Sequence, residues 1–324
     1  MPGCGFCQKH QEYYTGEDFA MDLDLPAELE ALTSQLAVLT EGVVSACRLS
    51  GGLTNTNFKL VTTKGSYVVR ISSPKSSLLA IDRENELYNS FAAAAVGVGA
   101  KVVESLREPN VMVVEYIEGK TLSAQDLAGG QLIDRVALAC RRLHGASRFA
   151  SNFDMFALQR GYLDIVLQRG FYLPKGYLDY REVVLEMERA MAVSPEGLVP
   201  CNNDLLAENF IDDGETIRII DYEYSGNNEP GFELGNIWSE SNLSLDQLEE
   251  LCSAYYGHYD PGRIARARLW GLMSKYGWTL WGSIQAAVSE MDFNFLEWGL
   301  EKYQRAEAEF NSDDFAELLE RVTR

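Results

Sequence analysis

A chain of 324 residues, 46% hydrophobic and 23% charged, carries enough apolar mass for one large or two moderate domains. Its net charge of −20 and its want of any dense Lys/Arg cluster exclude the usual nucleic-acid or anionic-membrane binder. Cys4, Cys7, Cys47, Cys140, Cys201 and Cys252 are too scattered for a disulfide framework. With the longest apolar run, FAAAAVGVGA at 91–100, too short to span a bilayer and no apolar leader in the first ten residues, a soluble cytoplasmic protein without membrane insertion is expected.

Residues 1–25 are polar and irregular and are expected to be loosely held. Cys4, Cys7 and His10 are part of a zinc-like set, but no second pair of ligands follows nearby. Pro26 then opens AELEALTSQLAVLT, whose apolar positions recur at helical spacing. Three strand-like runs follow, GVVSACRLS, TNFKLVTT and SYVVRIS, joined by the turn signals GGLTN and KG. A helix is predicted from Leu78 to Ala95. Two more strands, AKVVES and VMVVEYI, flank REPN. After Gly119 helical stretches dominate, at 130–146, 156–170, 177–193 and from 232 to 321, interrupted by a β segment at 208–222 that turns at DDGE. The expected fold is α+β and bilobal. A small antiparallel β-rich lobe, 26–118, follows the loose segment 1–25 and precedes a larger, mainly helical lobe, 119–324.

Two phosphate-binding signals fail. EGKT at 118–121 looks like the end of a P-loop, but that motif needs a glycine at position 114, which is Val114. GVG at 97–99 does not complete Gly-x-Gly-x-x-Gly.

A different constellation suits phosphoryl transfer, which needs a cation on the phosphates, metal ligands, and a base that orients the attacking oxygen. PCNNDLLAENFI at 200–211 supplies Asp204 as base and Asn209 as metal ligand. IRIIDYEY supplies Asp221 as the second metal ligand. One carboxylate, one amide oxygen and nucleotide phosphates satisfy Mg2+, which prefers hard oxygens and keeps waters.

These segments resemble the catalytic and metal loops of the choline/ethanolamine kinase family, within the aminoglycoside-phosphotransferase-like, protein-kinase-like fold. The family's His-x-Asp-x-x-x-x-Asn is matched at Asp204 and Asn209, with Asn202 where the His stands. IDYEYSGNNEPGFELGNIWSE, 220–240, is similar to the family's Ile-Asp-Phe-Glu-Tyr…Gly-Phe-Asp-(Ile/Leu)-(Ala/Gly)-Asn segment, with Glu233 replacing the Asp. The likeness runs from about residue 43 to 310.

The resemblance implies ATP and Mg2+ as cofactors and an Asp204-assisted transfer to the hydroxyl of choline. It makes LSGGLTNTNF, 49–58, the phosphate-covering loop, with Gly51, Gly52, Thr54, Asn55 and Asn57 as contacts. It makes Arg70 the phosphate cation, with Glu86 as its partner and Glu84 as the alternative. The backbone of Glu115, Tyr116 and Ile117 becomes the adenine hinge. KYGWTLWGSIQ, 275–285, is similar to the family's Trp-x-Leu-Trp-x-x-x-Gln helix, so Trp278, Trp281 and Gln285, with Trp298, Tyr224 and Glu240, line the acceptor site. Aromatic faces trap quaternary ammonium by ~0.5–2 kcal/mol each. Ethanolamine, another small alcohol such as an aminoglycoside, thiamine or homoserine, and a catalytically inactive nucleotide-binding module are the alternatives.

Overall fold

The computed structural model describes residues 25–49, 52, 54–72 and 78–324. Gly51 and the Cys4/Cys7/His10 set lie outside them. The described residues fall into two compact units, one holding those before position 74 together with Val102–Tyr116, the other those of 74–101 together with Ile117–Arg324.

The first unit is an antiparallel sheet of β1 (Val43–Arg48), β2 (Asn55–Thr62), β3 (Gly65–Ser72), β4 (Val102–Leu106) and β5 (Val111–Glu115), in the order β1-β2-β3-β5-β4. Thr62 pairs with Gly65, so Thr63 and Lys64 form a two-residue hairpin turn. Alternation along the strands buries Phe58, Leu60, Val69, Val111 and Val113 against Leu29, Leu32, Leu36, Val38 and Leu39. Each such side chain stabilises the fold by ~1.5–3 kcal/mol.

The helix expected after Pro26 is cut short. Only α1 (Ala27–Glu30) forms, and a 3-10 turn occupies Ala37–Thr40. Thr33 donates its hydroxyl to the carbonyl of Glu30 at 2.9 Å, a bond that competes with helix propagation. Glu104 of β4 accepts from the amides of Ala37 at 3.0 Å and Val38 at 3.4 Å, drawing off donors that a continuing helix needs.

The second unit holds α2 (Arg83–Ala95), α3 (Ala124–Ala128), α4 (Ile133–His144), α5 (Met155–Arg169), α6 (Arg181–Met191), α7 (Pro230–Glu240), α8 (Leu245–Tyr256), α9 (Pro261–Val288), α10 (Phe295–Phe310) and α11 (Phe315–Val322). Two small sheets punctuate it: β6 (Lys120–Thr121), β8 (Phe210–Asp212) and β9 (Ile217–Ile219), and the pair β7 (Val199–Cys201) with β10 (Gly226–Asn228). The β segment predicted at 208–222 is the β8–β9 hairpin.

The 28-residue α9 is the axis of this unit, ~42 Å long at 1.5 Å per residue. It is buried continuously from Ala265 to Gln285. Close backbone crossings fix its neighbours. A Cβ on Gly235 of α7 would come within 2.0 Å of the Ala267 carbonyl, and one on Gly282 within 2.9 Å of the Phe295 carbonyl. Only glycine admits α7 and α10 so near to α9. These crossings set the middle of α7 against the first third of α9 and the start of α10 against its last third.

Candidate active site

The segment that carries Asp204 leaves β7 and is held largely by side-chain amides. Asn202 donates from Nδ2 to the carbonyls of Ile220 (3.2 Å) and Asp221 (2.8 Å), and its Oδ1 accepts from the Asp204 amide at 3.1 Å. One side chain thus ties the Asp204 and Asp221 backbones together. Asn209 donates to the Asp204 carbonyl at 2.7 Å, and the Ile220 amide donates to the Asn209 carbonyl at 3.0 Å. Asp204, Asn209 and Asp221 therefore converge. Asp221 has φ +64° and Asn203 φ +67°, both in the left-handed region that costs a non-glycine residue energy and is held only by surrounding bonds. Asn203 supplies some of these, donating to the carbonyls of Cys201, Tyr224 and Gly226 at 3.1–3.3 Å.

Glu233 completes the brace. Its oxygens accept from the amides of Asn202 at 2.8 Å and Asn203 at 2.9 Å. His144 Nε2 lies 3.7 Å from Glu233 Oε1 and 3.6 Å from Cys201 Sγ, while its Nδ1 meets the Tyr255 hydroxyl at 2.7 Å. These three groups lie close enough to ligate a metal, but both Glu233 oxygens are already committed to the loop. Their arrangement is a buried support.

The electrostatics of Asp204 set it apart. Burial, then the charges of Asp221, Glu240 and Glu223, raise its carboxyl well above the ordinary 3.8, and Lys302 opposes the rise. Crowded carboxylates of this kind attract a hard cation. Asn209, its Nδ2 fixed on a carbonyl, turns Oδ1 away from it, and with Asp221 this donor set fits Mg2+.

Beside these acids stands an aromatic group. Trp278 packs edge-on to Tyr224 with centroids 5.0 Å apart, and Trp281 lies 5.2 Å from Trp298. The Trp281 indole donates to the Tyr224 hydroxyl at 2.9 Å. Tyr162 of α5 donates to the Leu79 carbonyl at 2.8 Å and sits 3.4 Å from the Tyr224 hydroxyl. Glu240 ends α7 and pairs with Lys302 of α10. Gln285 is buried one turn beyond Trp281. Lys302 escaped the sequence reading, although it follows Trp298 by four positions on one helix, a spacing that places both on one face.

Other expected residues are found as follows. Thr54 and Asn55 are buried, the Asn55 amide donating to the Thr54 hydroxyl at 2.9 Å. Gly52 has φ +85°. Asn57 stands opposite Arg70 in the β2–β3 register. Tyr116 donates its amide to the Ser66 carbonyl at 2.9 Å, and its ring carries the Lys59 ammonium at 3.6 Å. Glu86 accepts from Arg83 at 2.7 Å, and the same guanidinium nitrogen reaches Glu223 at 3.3 Å. Arg83 was not anticipated.

The chain belongs to the choline/ethanolamine kinase family, whose pattern it matches over residues 46–251. It is 32% identical to a solved choline/ethanolamine kinase family protein from Mesorhizobium loti, with a TM-score of 0.81 over 91% of this chain and 98% of that one. It is 27% identical over 270 residues to protein LicA of Haemophilus influenzae, covering 79% and 77% of the two chains. It is likewise 27% identical over 265 residues to ethanolamine kinase 2 of Mus musculus, covering 74% and 68%. The protein is a phosphotransferase acting on an alcohol group, and its fold is α+β and protein-kinase-like. Among the described residues, no helix is long and apolar enough to cross a membrane.

Proposed function

We propose that the protein transfers the γ-phosphoryl group of ATP to the hydroxyl of choline. The observation that carries this reading is the placement of Asp204 within the field of Glu240, beside the array of Tyr224, Trp278, Trp281 and Trp298. Asp204 accepts the hydroxyl proton and aims the oxygen at phosphorus. The indole faces and Glu240 hold the ammonium end, so the hydroxyl reaches Asp204 already oriented. Asn209 and Asp221 are the ligands for Mg2+, which when bound neutralises charge on the phosphates. Gly52, Thr54, Asn55, Asn57 and Arg70 are assigned to the phosphates and the backbone at 115–117 to adenine, on the family resemblance. Dependence on ATP makes the cytoplasm the working compartment.

Ethanolamine is the second reading. Glu240 Oε1 is buried and has no hydrogen-bond partner among the described residues. A primary ammonium donates hydrogen bonds to such an oxygen, and a quaternary one does not.

A coupled ADP-release assay over choline, ethanolamine, thiamine, homoserine and an aminoglycoside tests the proposal. The expected outcome is the highest kcat/KM for choline. A nucleotide- and Mg2+-dependent rise in melting temperature with no turnover of any alcohol leaves a nucleotide-binding module instead.

A further inference from the structure

We propose that Lys302 sets acceptor specificity: its ammonium holds the carboxylate and the indole face suited to a cationic head, and an amino alcohol must compete with it for both. This rests on the reading that Glu240 and Trp298 face the acceptor. Lys302 follows Trp298 by one turn of α10, and its Nζ lies 4.1 Å from the centre of the Trp298 ring, within cation–π range. The same ammonium pairs with Glu240 Oε2. The two side chains are only 6% and 2% exposed, so water screens the pair little. The opposite oxygen of Glu240 is buried without a partner among the described residues. Lys302 also draws the Asp204 carboxyl downward, so its charge reaches the reacting end of the pocket.

The two groups suited to read a cationic head are thus the two that hold a lysine. Glu240 already pairs with the Lys302 ammonium, so a second cation at this carboxylate competes with the lysine. A charged acceptor therefore enters by exchange, and its affinity is the difference between two cation interactions with Glu240 and Trp298. A neutral alcohol of the same shape has no charge to exchange and leaves the ion pair in place. Lys302 consequently lowers the advantage of a cationic acceptor over a neutral one and sets how far the pocket reads charge.

The test compares choline with 3,3-dimethylbutan-1-ol, its uncharged isostere, by ADP release. Lys302→Met keeps the aliphatic stem and removes the charge. Its choline KM is expected to fall about tenfold, the scale of one cation–π contact, while the KM values for the neutral alcohol and for ATP stay within about twofold. Stripping Glu240 of its partner destabilises the fold, so two further measurements accompany the variant. Choline is expected to raise the melting temperature of Lys302→Met more than that of the wild type. The neutral pair Glu240→Gln/Lys302→Met is expected to lose discrimination between the two alcohols. Parallel shifts in the KM values of choline and its isostere, or a higher choline KM in Lys302→Met, overturn the proposal and leave Lys302 as a structural tie between α10 and α7. Failure of the wild type to turn over any amino alcohol overturns the acceptor reading itself, and this inference with it.

Discussion

Asn202 donates from Nδ2 to the carbonyl of Asp221 at 2.8 Å, joining the loop that carries Asp204, the proposed base, to the loop that carries Asp221, a proposed metal ligand. The family places a histidine at this position. An amide serves because it offers two donors and an acceptor in one plane, and all are used: Ile220, Asp221 and the Asp204 amide. Asn202→Ala leaves two buried carbonyls and one amide short of partners. The expected cost is ~2–3 kcal/mol of stability with a fall in kcat, because Asp221 loses part of what holds its left-handed backbone. Urea unfolding and steady-state kinetics on the same variant check both.

Asp204 makes a claim on pH as well as on rate. Its folded carboxyl titrates above its ordinary 3.8 because of burial and three neighbouring acids. The folded state then binds more protons than the unfolded state from about pH 4 upward, so stability falls as pH rises through that window. Asp204→Asn removes the penalty. Without nucleotide and Mg2+, the variant is expected to be more stable than the wild type, by a margin that grows with pH. Its kcat is expected to drop about 100- to 10,000-fold with ATP binding retained. Chemical denaturation from pH 4 to pH 8 and calorimetric ATP titration measure these effects.

The strands of the first unit were legible because alternation or continuous apolarity along β1–β5 is a local property. So was the acid–amide–acid spacing of Asp204, Asn209 and Asp221. What the sequence hid depends on distant partners. The predicted first helix stops at Glu30, and its expected last turn is taken elsewhere, the Ala37 amide going to Glu104, 67 positions away. β10 is three residues of Gly-Asn-Asn, polar yet buried, and its pairing with β7 has no apolar signature. Arg83 meets Glu223 across 140 positions. The spacing of Trp278 and Trp281 put them on one face of a helix, but their direction was set by the glycine crossings of α9 with α7 and α10.

Trp281 combines a ring face with an indole donor to Tyr224 at 2.9 Å. Trp281→Ala is expected to raise the choline KM roughly 2- to 30-fold, the range of one cation–π contact, with little change in the ATP KM. Trp281→Leu restores bulk without a π face and is expected to behave likewise. Steady-state kinetics with each substrate varied in turn decide; equal effects on both KM values remove the aromatic cage from the acceptor site.

Away from the chemistry, Arg266 of α9 pairs with Glu229, both buried, with an Nη2–Oε1 contact of 2.7 Å, and also donates to the Met191 carbonyl at 2.8 Å. Glu229 further accepts from the Trp270 indole at 3.1 Å. Arg266→Met strands a buried carboxylate, so the expected loss is ~3–5 kcal/mol. The pair Arg266→Met/Glu229→Gln is expected to recover much of it, since neither partner is then charged. Urea midpoints of the single and double variants test the difference.

Lys275 is buried on α9 with its Nζ 3.6 Å from the centre of the Trp238 ring. Burial lowers its pKa from 10.5 to about 7; Arg305 and Lys302 push the same way, while Glu309 and Glu240 oppose them. A lysine whose folded pKa lies below its unfolded value binds fewer protons folded than unfolded. Between pH 7 and 10.5 the unfolded chain therefore takes up the proton that the folded one rejects, and stability rises with pH across this window. Lys275→Met removes the titration. The variant is expected to exceed the wild type in stability at pH 7, and the gap is expected to narrow by pH 9.5. A gap independent of pH would mean that the folded chain keeps this ammonium charged, held over the Trp238 ring strongly enough to offset its burial.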